Sequence, residues 1–115
     1  MVAQSVVDLN HLARYTGGDL ALNSEILRLF DTQTSEMVAR LQAILDSRDT
    51  KSWKEITHTL KGAARGIGAF PFADAAAAAE PIDPALDRSS AALAVDALKT
   101  RGEAVRAFIK AYLEP

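Results

Sequence analysis

Hydrophobic residues recur every three or four positions along most of the chain, a spacing that predicts helices separated by short breaks. A first short helix is predicted over residues 6–14 and ends before the Gly17-Gly18 pair. Asp19 then caps a long helix that runs to about Ser47. We expect one buried stripe along it, made of Leu22, Ile26, Leu29, Phe30, Met37, Leu41, Ile44 and Leu45.

A third helix is predicted after the charged break at residues 48–50. Ser52 and Glu55 have the spacing of a capping box at its start, and the glycines at 66 and 68, followed by Pro71, end it. On a helical wheel its apolar residues form one core face: Trp53, Ile56, Leu60, Ala63, Ala64 and Ile67.

Two more helices complete the prediction. A short one carries Phe72 and the alanines of residues 75–79, and Pro81 ends it. The last begins near Ser89 and has a seam in four-three alternation, formed by Ala91, Val95, Leu98, Gly102, Val105, Ile109 and Tyr112. Because the breaks are short, we expect an all-α fold, an antiparallel four-helix bundle with a short N-terminal cap helix, as one domain over residues 1–115.

Composition supports helix and excludes several classes of function. Alanine fills 22 of the 115 positions, which favours helix, and the absence of cysteine excludes disulfides, thiolate metal sites and thiol nucleophiles. A net charge of −2 argues against a general nucleic-acid binder. With no secretory signal pattern and no run near the roughly 18 apolar residues of a membrane span, we expect a cytoplasmic protein that contacts no membrane.

The polar face of the third helix holds the candidate chemistry. His58 projects from the side opposite the core, with Lys54, Lys61 and Arg65 on the same face. These cations disfavour a further positive charge on the ring, which leaves it nucleophilic, and they would stabilise an anion attached to it. Gly62 leaves bare surface beside the ring, where another molecule can approach. This combination suits a residue that accepts and donates a phosphoryl group.

The stretch His58-Thr59-Leu60-Lys61-Gly62, continued by alanines at 63 and 64, resembles the motif of histidine-containing phosphotransfer (HPt) domains. The resemblance extends over most of residues 8–80 and includes Gly17-Gly18-Asp19 and Glu80. It implies that His58 is phosphorylated, at Nε2, that Lys61 stabilises the phosphoryl charge, and that Gly62 clears space for the partner. Glu80 has two interpretations: a side chain that orients the imidazole, or an exposed carboxylate at a helix end.

The resemblance also implies partners and a role. The chain would be a phosphohistidine carrier, with no autokinase element, between the aspartates of response-regulator receiver domains, alongside a hybrid or sensor histidine kinase. Lys54, Gly62, Arg65 and Glu80 would contribute to partner binding, and we expect a monomer. No cofactor is expected, since Mg²⁺ would be held by the receiver.

Two other functions remain open. The chain could be an interaction bundle that binds a receiver or kinase without transferring phosphate. It could also act as a phosphatase-like helix on a receiver, which would require a polar side chain that directs water. Outside the third helix, His11 is interpreted as a structural or surface residue and Trp53 as core, whereas Phe70 could be core or partner-facing. No metal site is expected, because the two histidines lie far apart and no carboxylate cluster has ligand spacing.

Overall fold

Five helices and no strand make up the part of the chain that the computed structural model describes, residues 5–114. The helices are α1 (Leu9–Thr16), α2 (Leu20–Ile44), α3 (Thr50–Ile67), α4 (Phe70–Ala79) and α5 (Arg88–Leu113). The prediction of an all-helical fold is confirmed, with four substantial helices after a short first one.

Aspartates begin four of the five helices. Asp8, Asp19, Asp49 and Asp87 each accept a hydrogen bond from the backbone N–H three residues on, which satisfies a donor that the first helical turn leaves free. The cap at Asp19 was predicted. The capping box at Ser52 was wrong, since α3 begins two residues earlier and Ser52 donates to Asp49. Similarly, α1 begins after Asp8 and not at Val6.

Glycines end α1 and α3, as predicted. Gly17 and Gly68 both take the left-handed conformation, with φ of 65° and 84°. At Gly68 the chain also makes a close contact, because the Asp8 backbone N–H donates to Gly68 O at 2.9 Å. A Cβ at position 68 would lie 2.6 Å from Asp8 O, so only glycine fits here. This contact attaches the start of α1 to the end of α3.

The helices pack around one core in a fixed set of neighbours. Helix α3 contacts α2 and α4, α5 contacts the same two helices, and α1 packs across α2 and α3. Polar pairs show that α2 and α5 run in opposite directions, from Asn23 with Tyr112 at one end to Asp46 with Arg88 at the other. Trp53 and Phe72 are the largest fully buried side chains, and the Phe72 ring meets Phe30 edge to face.

The predicted core is correct for most positions and wrong for Leu22, Leu29 and Ala63, which are exposed. Leu22 and Leu29 are 39% and 56% exposed, while Asn23, Leu27 and Thr34 are buried on α2. The buried stripe of α2 is therefore rotated toward α5 relative to the prediction. On α3, Ala63 is exposed, and Thr57 is buried with its hydroxyl donating to Trp53 O. A buried threonine is compatible with the core because it satisfies its hydroxyl within its own helix.

The seam predicted along α5 is largely confirmed. Its buried members are Ala91, Val95, Leu98, Val105 and Ile109, whereas Gly102 and Tyr112 are half-buried. Gly102 faces Phe72, whose ring edge would lie 3.4 Å from an added Cβ. Tyr112 accepts a hydrogen bond from Asn23 Nδ2 at 3.2 Å.

The capping aspartates predict how stability responds to acid. Hydrogen bonds from Ser52 lower the pKa of Asp49, and those from Ser90 lower the pKa of Asp87. The folded state then binds fewer protons than the unfolded state in acid, so the stabilisation is complete above the ordinary Asp range and is lost as pH falls below about 4. Urea unfolding between pH 2.5 and 7 should show this decline.

The matched variant is Asp49→Asn with Asp87→Asn. Asparagine caps helices about as well as aspartate does but does not titrate, so stability at pH 7 should change little while the decline in acid becomes shallower. An unchanged acid slope in the double variant would contradict this assignment.

Candidate functional site

His58 lies in the middle of α3 and points into solvent, with 71% of its side chain exposed. The core residues Leu60 and Ala64 lie on the opposite side of the same helix and are fully buried. Their burial fixes the rotation of α3, so His58 must face outward. The imidazole is therefore held on a rigid element and remains open to another molecule.

Lys61, one turn after His58, leans toward the end of α4. Its Nζ lies 2.8 Å from Glu80 Oε2, and its side chain is only 19% exposed, although it lies on the polar face of the helix. Residues near the start of α3 meet the end of α4, as Trp53 and Ala79 do, so the two helices run in opposite directions here. Helical side chains tilt toward their own N-terminus, which brings Lys61 and Glu80 together from the two helices.

Glu80 lies between both partners. Its Oε2 is 3.5 Å from His58 Nδ1 as well as 2.8 Å from Lys61 Nζ. This oxygen is shielded from solvent, and the contact with Lys61 is an ionic one without the alignment of a hydrogen bond. Of the two interpretations of Glu80, the geometry favours a side chain that orients the imidazole over an exposed carboxylate at a helix end.

The charge state of Glu80 follows from these neighbours. The Lys61 ammonium holds the pKa of the Glu80 carboxyl below its usual range, and His58 makes a smaller contribution in the same direction. Glu80 is therefore an anion near neutral pH. An anionic oxygen facing Nδ1 favours a proton on that nitrogen and leaves Nε2 with a free lone pair.

Gly62 provides clearance next to the ring. A Cβ built at this position meets no atom within 4 Å, so the internal packing of the chain does not require glycine here. Gly66 follows one turn later and is equally unobstructed. Glycine inside a helix costs about 0.5–1 kcal/mol relative to alanine, and packing does not require that cost at either position.

The remaining cations on α3 are exposed. Lys51, Lys54 and Arg65 form no ion pair within 4.0 Å of another residue in the described part of the chain. Lys51 and Lys54 line a shallow hollow of about 300 Å³ together with His58 and Glu80. The sequence-predicted residues Lys54, His58, Lys61 and Glu80 are thus brought together, while Arg65 lies further along the exposed face.

One contributor to the site was not predicted from the sequence. Trp53 is fully buried, as expected of a core residue, but its Nε1–H also donates to Ala79 O at 3.0 Å. Ala79 immediately precedes Glu80, so this bond fixes the end of α4 against α3. The sequence did contain one signal for this contact, because a buried tryptophan N–H needs a hydrogen-bond acceptor from a neighbouring element.

Residues not assigned to the site lie elsewhere. His11 is half-buried on α1 and its ring contacts Phe70 edge to face, with centroids 5.1 Å apart. Phe70 is therefore covered by α1 on one side. Across residues 5–114, no three or more His, Asp or Glu side chains come together as a metal site would require.

Comparison with protein families decides the identity of the fold. A family model described as Hpt domain matches residues 25–111, about three quarters of the chain. The chain belongs to the HPt domain family. This match includes most of α5, which lies beyond the residues 8–80 of the sequence resemblance, and it begins after Gly17-Gly18-Asp19. No curated protein and no solved structure gives a significant match to the chain.

Membership places the chain in histidine phosphotransfer. HPt domains are helical bundles that carry phosphoryl groups within two-component phosphorelays, alongside receiver domains and kinases, and they are not catalytic kinase domains. Of the five helices described for this HPt domain, none has the length and apolar content needed to cross a membrane.

Alanine substitutions at Gly62 in α3 and at Gly68, which ends α3, should change the stability of the HPt domain in opposite directions. Gly62→Ala should raise the free energy of unfolding by about 0.5–1 kcal/mol, because the added methyl meets open space. Gly68→Ala should lower it, because its φ of +84° and the contact with Asp8 O exclude a side chain. Urea unfolding, followed by fluorescence of the single buried tryptophan, measures both.

Gly62→Gln separates packing from partner access. We expect this variant to stay folded and to take up phosphoryl groups more slowly, because the longer side chain covers the approach to His58. Transfer at the wild-type rate would show that no partner comes close to position 62.

Proposed function

We propose that this HPt domain accepts a phosphoryl group on His58 Nε2 from a receiver-domain aspartate and passes it to the aspartate of another receiver. The observation that carries the proposal is the exposed His58 ring with Lys61 and Glu80 beside it on two adjoining helices. The match to the HPt family over residues 25–111 supports the same reaction class.

The transfer step needs little more than these groups. Neutral His58 attacks the phosphorus of the aspartyl phosphate in line through Nε2, so the N–P bond forms as the P–O bond to the carboxylate breaks. The aspartate leaves with the electron pair of that bond, and the ring becomes a cation that keeps its proton on Nδ1. Glu80 Oε2 accepts that proton in a hydrogen bond and offsets the new charge. Transfer onward is the reverse step with a second aspartate.

Lys61 has a different task. Its ammonium lies next to Glu80 before transfer and is within reach of the equatorial phosphoryl oxygens after it. Moving Nζ from Glu80 toward those oxygens neutralises phosphoryl charge and frees Glu80 for the Nδ1 proton. The proposed step uses no other catalytic group among residues 5–114, and Mg²⁺ would be supplied by the acidic pocket of the receiver.

Recognition combines charge and apolar contact. The exposed cations Lys51, Lys54 and Arg65 complement an acidic receiver pocket, and such complementarity raises the rate of association. Leu22 and Leu29, the residues wrongly predicted as core, supply apolar surface. At 100° per residue both lie within about 20° of Arg40 on α2, and Arg40 lines a hollow that α3 shares. Leu22 and Leu29 therefore lie on the side of α2 that is next to α3.

Several finer points belong to the same proposal. The contacts among α2 to α5 and their alternating directions support an antiparallel four-helix bundle capped by α1, as a single domain. The carrier would work in the cytoplasm, without ATP of its own and without a resident cofactor.

Phosphoryl transfer from purified receivers tests the proposal. The protein is mixed with receiver domains of the same cell, each labelled on its aspartate, and the label on this chain is followed. We expect label that is acid-labile and base-stable, as phosphohistidine is. Binding without label across all receivers would favour a pure interaction bundle, and faster loss of receiver phosphate without label would favour a phosphatase-like role.

The oligomeric state gives a separate prediction. The apolar seam of α5 is buried inside the bundle, so this seam is not available to a second copy. Analytical ultracentrifugation should therefore give a mass near 12.3 kDa at all concentrations tested. A dimer that dissociates on dilution would contradict this.

A further inference from the structure

The last residue of α4 and the loop that follows it are attached to α3 at two points, one on each side of Glu80. Trp53 Nε1 donates to Ala79 O at 3.0 Å, and Thr50 Oγ1 donates to Asp83 Oδ1 at 2.7 Å. Ala79 directly precedes Glu80 in the chain, and Asp83 follows it by three residues. We call these two hydrogen bonds the α3 clamp.

The first half of the clamp is built into the core. Trp53 is fully buried, so its N–H must find an acceptor, and carbonyls at the end of a helix lack partners within it. Ala79 O fills that role and also accepts from Ile82 N at 3.1 Å. The last turn of α4 is therefore fixed from both sides, immediately before the residue that faces His58.

The second half of the clamp fixes the loop beyond Glu80. Asp83 Oδ1 also accepts from Ala85 N at 2.9 Å, and the Thr50 hydroxyl lowers the pKa of Asp83. Asp83 lies between Pro81 and the buried Pro84, whose rings restrict the backbone. The loop is thus rigid near the start of α3.

The site needs this rigidity because the distance between the Glu80 carboxylate and the His58 ring is slightly too long for a hydrogen bond. Glu80 Oε2 lies 3.5 Å from His58 Nδ1, and a small movement of the backbone at Glu80 decides whether the two atoms can pair. Displacements of about 1 Å at a catalytic group can cost up to about 100-fold in rate.

We propose that Trp53 and Thr50 are positioning residues for phosphotransfer: through the α3 clamp they hold Glu80 so that its carboxylate keeps the proton of His58 on Nδ1. This inference rests on the proposed function, in which Nε2 is the attacking atom. Neither residue touches His58 or the phosphoryl group, and both act through Glu80.

Two variants that each remove one hydrogen-bond donor test the clamp. Thr50→Val removes the hydroxyl donor, and Trp53→Phe removes the indole N–H. Thr57→Val is the matched control, because Thr57 is also a threonine of α3 but its hydroxyl bonds only within that helix. Urea unfolding followed by circular dichroism confirms that each variant is folded, since Trp53→Phe lacks the single tryptophan. Thr50→Val carries the test if Trp53→Phe is not folded.

The decisive measurement is the tautomer of His58 in the unphosphorylated protein, from ¹⁵N NMR of the ring nitrogens. Wild type and Thr57→Val should show mainly the Nδ1–H form, and the two clamp variants should shift toward Nε2–H. Phosphoryl uptake should fall by about tenfold in the clamp variants. In a Glu80→Gln background, neither substitution should change the tautomer or the rate further.

The outcomes separate the two proposals. Unchanged tautomers in Thr50→Val and Trp53→Phe would overturn the clamp, even if their transfer were slow, since a general structural effect would account for that. Clamp effects that persist in the Glu80→Gln background would overturn it as well. A tautomer shift in a protein that takes no label from any receiver would support the positioning of Glu80 and overturn the carrier function instead.

Discussion

His58→Gln is expected to take no phosphoryl label from any receiver that labels the wild type. Glutamine has no nucleophilic nitrogen that can form a phosphoramidate of this kind, and the loss should be complete. The fold should be retained, because 71% of the His58 side chain is exposed and glutamine is a good helix former. Unfolding free energy should stay within about 0.5 kcal/mol of wild type.

The other histidine of the chain, His11, provides the control. His11 lies on α1 against Phe70 and contacts none of the site residues, so His11→Gln should keep the label. Label on His58→Gln would reveal another acceptor and overturn the assignment. Affinity for the receiver should survive in His58→Gln, since the surrounding cations and apolar residues remain in place.

Lys61→Ala is expected to slow phosphoryl uptake by about 10²-fold, the order of effect seen when a group that stabilises transition-state charge is removed. The phosphoryl oxygens lose the ammonium that lies against Glu80 beside the site, and Glu80 loses the main partner that lowers its pKa. Lys61→Arg keeps the charge and should retain much of the rate. Rapid-quench transfer from a labelled receiver measures both.

Arg101→Ala is the matched control, because Arg101 is an exposed cation on α5, away from the site. It changes net charge by the same amount and should leave transfer unchanged. Equal slowing by Lys61→Ala and Arg101→Ala would mean that net charge, and not the position of Lys61, controls the rate. Equal rates for Lys61→Ala and wild type would remove Lys61 from the transfer step.

Much of the fold could be predicted because local signals set it. The number and order of the helices follow from periodicity and from the glycine and proline breaks, and the caps at Asp19 and Gly68 follow from backbone chemistry. The cap of α3 was predicted three residues late, at Ser52, because Asp49 and Ser52 are both good caps and the sequence does not say which one begins the helix.

Errors in the core prediction have one cause. Periodicity gives the average direction of the apolar face of a helix, but the neighbouring helices decide which edge of that face is covered. On α2 the contacts with α5 bury Asn23 and Thr34 and leave Leu22 and Leu29 exposed. Two residues predicted as core are therefore available for contact with a partner.

By itself, the sequence determined the helical class, the exposed position of His58 and the motif that links it to Lys61 and Gly62, because these residues lie within two turns of one helix. Only the tertiary structure decided where Glu80 lies relative to His58, from which it is 22 positions away in the chain. Its place beside the ring depends on how α4 packs on α3, through Trp53 and Ala79. Contacts between residues on different helices carry no periodic signal, so packing alone brings these groups together.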